Sequence, residues 1–90
     1  MRFSNLVMKN KQEIHLQLQS IFSSIMPTYG KNYWLEHTEL FGALPEFDSM
    51  AIVSLIGEIE DCFDLDLDDD VITAENFATV GTVVDLVLKS

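Results

Sequence analysis

Apolar residues recur at helical spacing in three separate stretches of the chain. Ile14, Leu18, Ile21, Phe22 and Ile25 stand at i, i+4, i+7, i+8 and i+11. Ile52, Leu55, Ile56, Ile59 and Phe63 stand at i, i+3, i+4, i+7 and i+11. Val80, Val83, Val84, Val87 and Leu88 repeat the i, i+3, i+4, i+7, i+8 form. Each set falls on one stripe of a helix, so each stretch predicts a helix with one buried face. The starts carry capping chemistry. Asn10 precedes Glu13 by three residues, Asp48 or Ser49 can cap the second helix, and Thr79 can cap the third, because their side-chain oxygens accept orphan N–H groups. Pro27 ends the first helix, since the residue before a proline is driven out of the helical region.

Between the first two helices lies a long connection, Pro27 to Phe47, with Pro27, Gly30, Gly42 and Pro45 and no sustained period. A loop of that length needs anchors, and Tyr33, Trp34, Leu35, Leu40, Phe41 and Leu44 can supply them. Thr38 to Phe41 is expected to make one helical turn. After Phe63, Leu65 and Leu67 should turn inward while the intervening acids face water. Thr73 to Phe77 reads as a short helix with Thr73 as its N-cap. No strand pattern survives. The expected fold is all-α: three main helices, one short helix and a long first loop. Residues 1–90 read as a single domain, with 1–9 irregular or a frayed start.

Composition adds limits. Ninety residues with 48% hydrophobic content make one modest core. No apolar run is long enough to span a bilayer, and Met1 to Lys11 lacks the apolar core of a signal peptide. The lone Cys62 cannot form an internal disulfide, and it reads as a small packing residue at the edge of a helix stripe. A reduced, cytoplasmic setting fits.

Charge sharpens the picture. Net charge is -10, and residues 36 to 85 hold fourteen of the fifteen acids with no lysine or arginine. Such a surface repels nucleic acid and anionic lipid. Its natural partners are proteins with basic patches, approached by electrostatic steering.

Ser49 is the candidate of most interest. A helix N-terminus favours a phosphate, so a serine there can carry a phosphodiester; the plainer role is capping alone. His37, twelve residues earlier, raises a serine–histidine hydrolase. No Gly-x-Ser-x-Gly elbow surrounds Ser49, and no oxyanion loop is evident, so no residue is assigned a catalytic role. His15 has no second ligand near it and reads as a surface histidine. Asp64, Asp66, Asp68, Asp70 and Glu75 occupy positions 1, 3, 5, 7 and 12 of a calcium-loop window. Position 6 is Asp69, where such a loop needs glycine for its sharp turn. Weak, nonspecific divalent binding is the expectation there, with no dedicated metal site. An acidic interaction domain or an EF-hand-like cation binder remains the rival function.

Several of these pieces occur together in one family. Leu44-Pro45-Glu46-Phe47-Asp48-Ser49-Met50, the amphipathic helix ending at Phe63, the acidic turn, and Phe77-Ala78-Thr79-Val80-Gly81 resemble an acyl carrier protein. The resemblance covers roughly residues 11 to 89 and implies a four-helix acyl-carrier-like bundle. The run from Gly42 to Met50 is most similar to small bacterial carriers encoded beside exosortase and exopolysaccharide systems. It implies that Ser49 receives 4′-phosphopantetheine from coenzyme A through a separate magnesium-using transferase. The arm then holds an acyl or aminoacyl group as a thioester for partner enzymes of lipid or polyketide biosynthesis. Asp48 would lie beside the arm. Neither Cys62 nor a stable metal ion has a part in this.

The helix after Ser49 carries the expected docking surface. At about 100° per residue, Met50, Val53 and Gly57 fall roughly 100 to 160° from the core stripe, and an apolar cluster outside the core marks a contact face. In familiar fatty-acid carriers, acids stand where this chain has Ala51 and Ser54. Glu60 and Asp61 keep the lower acidic positions. The resemblance therefore implies dedicated partners with basic or apolar patches, a monomer, no nucleic acid and no membrane insertion.

Overall fold

The computed structural model describes residues 10–90. Its elements are α1 (Lys11–Ile25), a 3-10 turn (Lys31–Tyr33), α2 (Ser49–Phe63), a second 3-10 turn (Asp69–Val71) and α3 (Val80–Lys89). The three main helices begin where the capping residues placed them. Asn10 and Glu13 form a reciprocal box, with Glu13 N–H donating to Asn10 Oδ1 at 2.9 Å and Asn10 N–H to Glu13 Oε1 at 3.3 Å. Thr79 and Thr82 do the same at α3, at 3.1 and 3.0 Å. α1 stops at Ile25, before Pro27. The expectation of an irregular 1–9 lies outside the described residues.

α1 is the central helix: both α2 and α3 pack on it. It buries Ile14, Leu18, Ile21 and Phe22, against Leu55 and Ile59 from α2 and Val80, Val83, Val84, Leu86 and Val87 from α3. The stripes need three amendments. Leu88, one residue from the end of α3, is 47% exposed, and Leu86 is buried in its place. Ala51 is buried, so α2 rolls further onto its Ala51 side than the bulky residues indicate, leaving Ile52 and Ile56 half-buried. Cys62 is exposed, its Sγ 3.4 Å from Gln17 Oε1, and does not fill the core.

The long loop is fixed by one aromatic anchor and one run of backbone pairing. Trp34 is fully buried and stacks on Phe22 with ring centroids 4.9 Å apart. Truncating a core tryptophan costs about 3–5 kcal/mol, against about 0.5–1.5 kcal/mol for one hydrogen bond, so Trp34 is the stronger tether. Residues 36–41 then run antiparallel to 77–81. Leu40 N–H donates to Ala78 O at 2.8 Å, Val80 N–H to Thr38 O at 3.0 Å and Gly81 N–H to Glu36 O at 2.8 Å, with an isolated bridge between Glu39 and Thr79. The helical turn expected at Thr38 to Phe41 does not form, because these donors and acceptors are used across the chain. A Cβ on Gly81 would stand 2.8 Å from Glu36 Cγ and 2.9 Å from Glu36 O, so only glycine allows this approach.

The same pairing shortens the fourth helical segment. Thr73 caps as expected, accepting from Asn76 N–H at 3.1 Å, and Phe77 N–H reaches Thr73 O at 3.2 Å. The chain then straightens to meet residues 39–41, leaving a single turn where a short helix was expected. The short helical element is the 3-10 turn Asp69–Val71 inside the acidic run. Leu67 is buried and Leu65 half-buried, as the alternation indicates.

Candidate functional site

The site is built at the first turn of α2. Phe47 is 2% exposed and packs near Phe22, ring centroids 6.4 Å apart. It fixes the point from which the helix departs. Asp48 follows in an extended conformation and is the N-cap: its Oδ1 accepts from Ala51 N–H at 3.0 Å, and its carbonyl accepts from Ile52 N–H at 3.0 Å. Ser49 is therefore the first helical residue, exposed. Sequence alone allowed either residue to cap. The geometry gives that role to Asp48 and leaves the Ser49 hydroxyl uncommitted to it. The first amides of a helix have no intrahelical acceptor and carry the positive end of the dipole, so the hydroxyl sits in a field that favours an anion.

The outer face of α2 beside Ser49 is apolar and open. Met50 is 77% and Val53 69% exposed. Ser54 and Gly57 are exposed too, and nothing stands within 4 Å of a Cβ built on Gly57. Ala51 does not belong to this face. It is 9% exposed and joins the core, because its position two residues past Ser49 turns its methyl toward α1. Between the two surfaces lies a groove of about 290 Å³. One wall is the chain from Ile25 to Thr28 with Glu46, and the other is Met50, Ala51 and Ser54. Tyr29 donates its hydroxyl to Glu46 Oε1 at 3.0 Å. That bond, with burial and the nearby carboxylate adding to it, holds the Tyr29 phenol above its ordinary value near 10.

No protein-family model matches the chain, and no curated protein matches it. A solved structure does. The solution NMR structure of a holo acyl carrier protein from Nitrosomonas europaea superposes with a TM-score of 0.69 at 34% sequence identity, over 83% of this chain and 92% of that one. The chain belongs to the acyl carrier protein family. It is a carrier and not an enzyme.

Among the acids of this acyl carrier protein, two readings separate. Asp61 is exposed and bounds an open depression of about 370 Å³ with Gly57, Asp64 and Asp66. Glu60 is half-buried, and its Oε2 accepts from Leu67 N–H at 2.9 Å, so it clamps the acidic run to α2 as well as facing that depression. Asp64 ends the helix in the left-handed region at φ 55. Among the described residues, no three histidine, cysteine, aspartate or glutamate side chains converge as a metal-holding group. No helix of the described residues is long and apolar enough to cross a membrane. His37 is exposed in the long loop. Sequence reasoning missed the Tyr29–Glu46 clasp and the groove wall at residues 25–28. The clasp joins residues 17 apart through an irregular segment, and no periodic signal marks such a pair.

Proposed function

We propose that Ser49 is the attachment point of 4′-phosphopantetheine and that residues 1–90 act as one carrier domain. The observation that carries the reading is the division of labour at the start of α2: Asp48 caps, so the exposed Ser49 hydroxyl serves no structural bond. The residues present fit the group. The open first turn suits a phosphodiester anion, and Val53 and Gly57 leave its surroundings unobstructed. When attached, the arm supplies a thiol that holds an acyl or aminoacyl group as a thioester. Ser49 anchors the phosphate, Asp48 sets the helix start that aims it, and Met50, Val53, Ser54 and Gly57 form the docking face, with Glu60 and Asp61 below. No general base adjoins Ser49 in this reading, because a separate phosphopantetheinyl transferase, with coenzyme A and magnesium, performs the transfer.

The other partners are acyl-loading and acyl-transferring enzymes with an apolar patch bordered by basic residues, matching the exposed Met50 and Val53 and the surrounding acids. The exposed Ser54 in place of an acid favours dedicated partners over general fatty-acid synthesis enzymes; Ala51, buried in the core, has no part in that choice. The setting is cytoplasmic and the carrier works as a monomer. The test is intact-protein mass after incubation with a promiscuous transferase, magnesium and coenzyme A. Wild type should gain one phosphopantetheine mass and Ser49→Ala none, while Ser49→Ala keeps its helix content because the cap is Asp48. An unmodified wild type, beside a carrier that is modified in the same tube, would refute the assignment.

A further inference from the structure

We infer that an arm on Ser49 lies back in the groove between the end of α1 and the first turns of α2; this rests on the attachment proposed above. Glu46 lies three residues before Ser49, and Met50 directly follows it, and both line the groove. The lining offers both apolar and polar groups, as a pantetheine chain does. Such a chain offers a gem-dimethyl group and methylenes, then a hydroxyl and two amides. Met26, Pro27 and Met50 offer apolar surface, and methionine thioethers adapt to irregular shapes. Thr28, Ser54 and Glu46 offer a hydroxyl, a second hydroxyl and a carboxylate that can accept amide N–H groups. At about 290 Å³ the groove falls just under the small-molecule range of about 300–1,000 Å³, which suits an extended chain laid in an open trough.

Three structural features make the trough. α1 stops at Ile25, short of Pro27, so the chain from Ile25 to Thr28 stands as a wall facing Met50, Ala51 and Ser54. The Tyr29–Glu46 hydrogen bond braces the far wall. Ala51 supplies only a methyl to the α2 wall, where a larger side chain would fill the space. Tethering decides whether so shallow a site is occupied. A short linker raises the local concentration of its end to about the millimolar range, so a groove too weak to capture dissolved pantetheine still holds an attached arm. Weak holding also lets a partner enzyme draw the arm out.

The experiment uses the ¹³C,¹⁵N-labelled chain, loaded from unlabelled coenzyme A. Mass is read first: absence of the phosphopantetheine gain refutes the attachment and this inference together. With the gain present, isotope-filtered nuclear Overhauser spectra are recorded between the arm's methyl groups and the labelled chain. Cross-peaks to the Met26, Thr28 and Met50 methyls are expected. They should be lost in Thr28→Trp, which fills the groove from an exposed position outside the docking face and still gains the arm's mass. Cross-peaks to Ile56, Leu65 or Ile72, which lie outside the groove, in place of these, no cross-peaks at all, or unchanged Met26 and Met50 cross-peaks in Thr28→Trp would overturn the inference while leaving the attachment standing.

Discussion

Replacing Asp48 separates its structural part from any direct part in modification. Asp48→Ala removes the acceptor of the 3.0 Å bond from Ala51 N–H. Losing such a cap costs about 0.5–2 kcal/mol. For a domain of this length, about 1 kcal/mol lowers Tm by about 4–8 °C. Asp48→Asn keeps an acceptor of nearly equal capping strength and loses only the charge at the positive helix end, worth about 0.3–1 kcal/mol. Stability should therefore fall in the order wild type, Asn, Ala. The first turn holds Ser49 and Met50, so fraying it should slow coenzyme A-dependent mass gain, and Asn should restore most of the rate lost in Ala. The measurements are thermal unfolding by circular dichroism and the initial rate of mass gain. Equal Tm values for Asn and Ala would show that the acceptor contributes nothing. A normal Tm in Asn with modification as slow as in Ala would show that Asp48 acts through its charge on the transferase, and the positioning argument would fail.

Two further outcomes follow from the fold. Gly81→Ala forces a methyl against Glu36 O at 2.9 Å; overpacking of this kind costs about 1–3 kcal/mol, of which helix propensity returns at most about 1 kcal/mol, and urea unfolding no different from wild type would show that the loop is not held there. Tyr29 titrates above its ordinary value because Glu46 accepts from its neutral form; a raised folded-state value gives stability fully present below about pH 10 and lost as pH rises through the folded value, so the stability gap between wild type and Tyr29→Phe should be constant near neutrality and close in strong alkali, and a gap that widens there would contradict the sign.

What was legible in the sequence was local. Asn10 with Glu13 and Thr79 ahead of α3 announce their helices through contacts three residues apart, and the apolar stripes fix which faces meet α1. The motif around Ser49 was legible as well, though not which of two good capping residues caps. That depended on Asp48 adopting an extended backbone at φ -96, which the packing of Phe47 decides. The misses in secondary structure were long-range. The turn expected at Thr38 to Phe41 and the helix expected at Thr73 to Phe77 were each sound by propensity. They yielded to the same antiparallel pairing, made between segments almost forty residues apart, which satisfies backbone groups that a surface loop would otherwise leave to water. Ala51 was misplaced for a local reason. A methyl carries little hydropathy signal, and nothing in the pattern shows that Glu60 would be drawn down to the Leu67 amide.

The arrangement at Phe47, Asp48 and Ser49 explains how a small domain can present a serine without spending it on the fold. Phe47 is locked in the core, so the helix leaves from a fixed point. Asp48 satisfies the Ala51 amide that a bare helix start would leave open. With both needs met by the two preceding residues, Ser49 owes nothing to stability and is exposed at the positive end of the dipole. Reversing the order would turn this around. A serine at the cap would have its oxygen bound to the backbone, and an acid one position later would place a negative charge where the proposed phosphodiester would sit. The order aromatic, acid, serine is thus set by three separate physical demands on three adjacent positions, and each can be tested by changing one residue at a time.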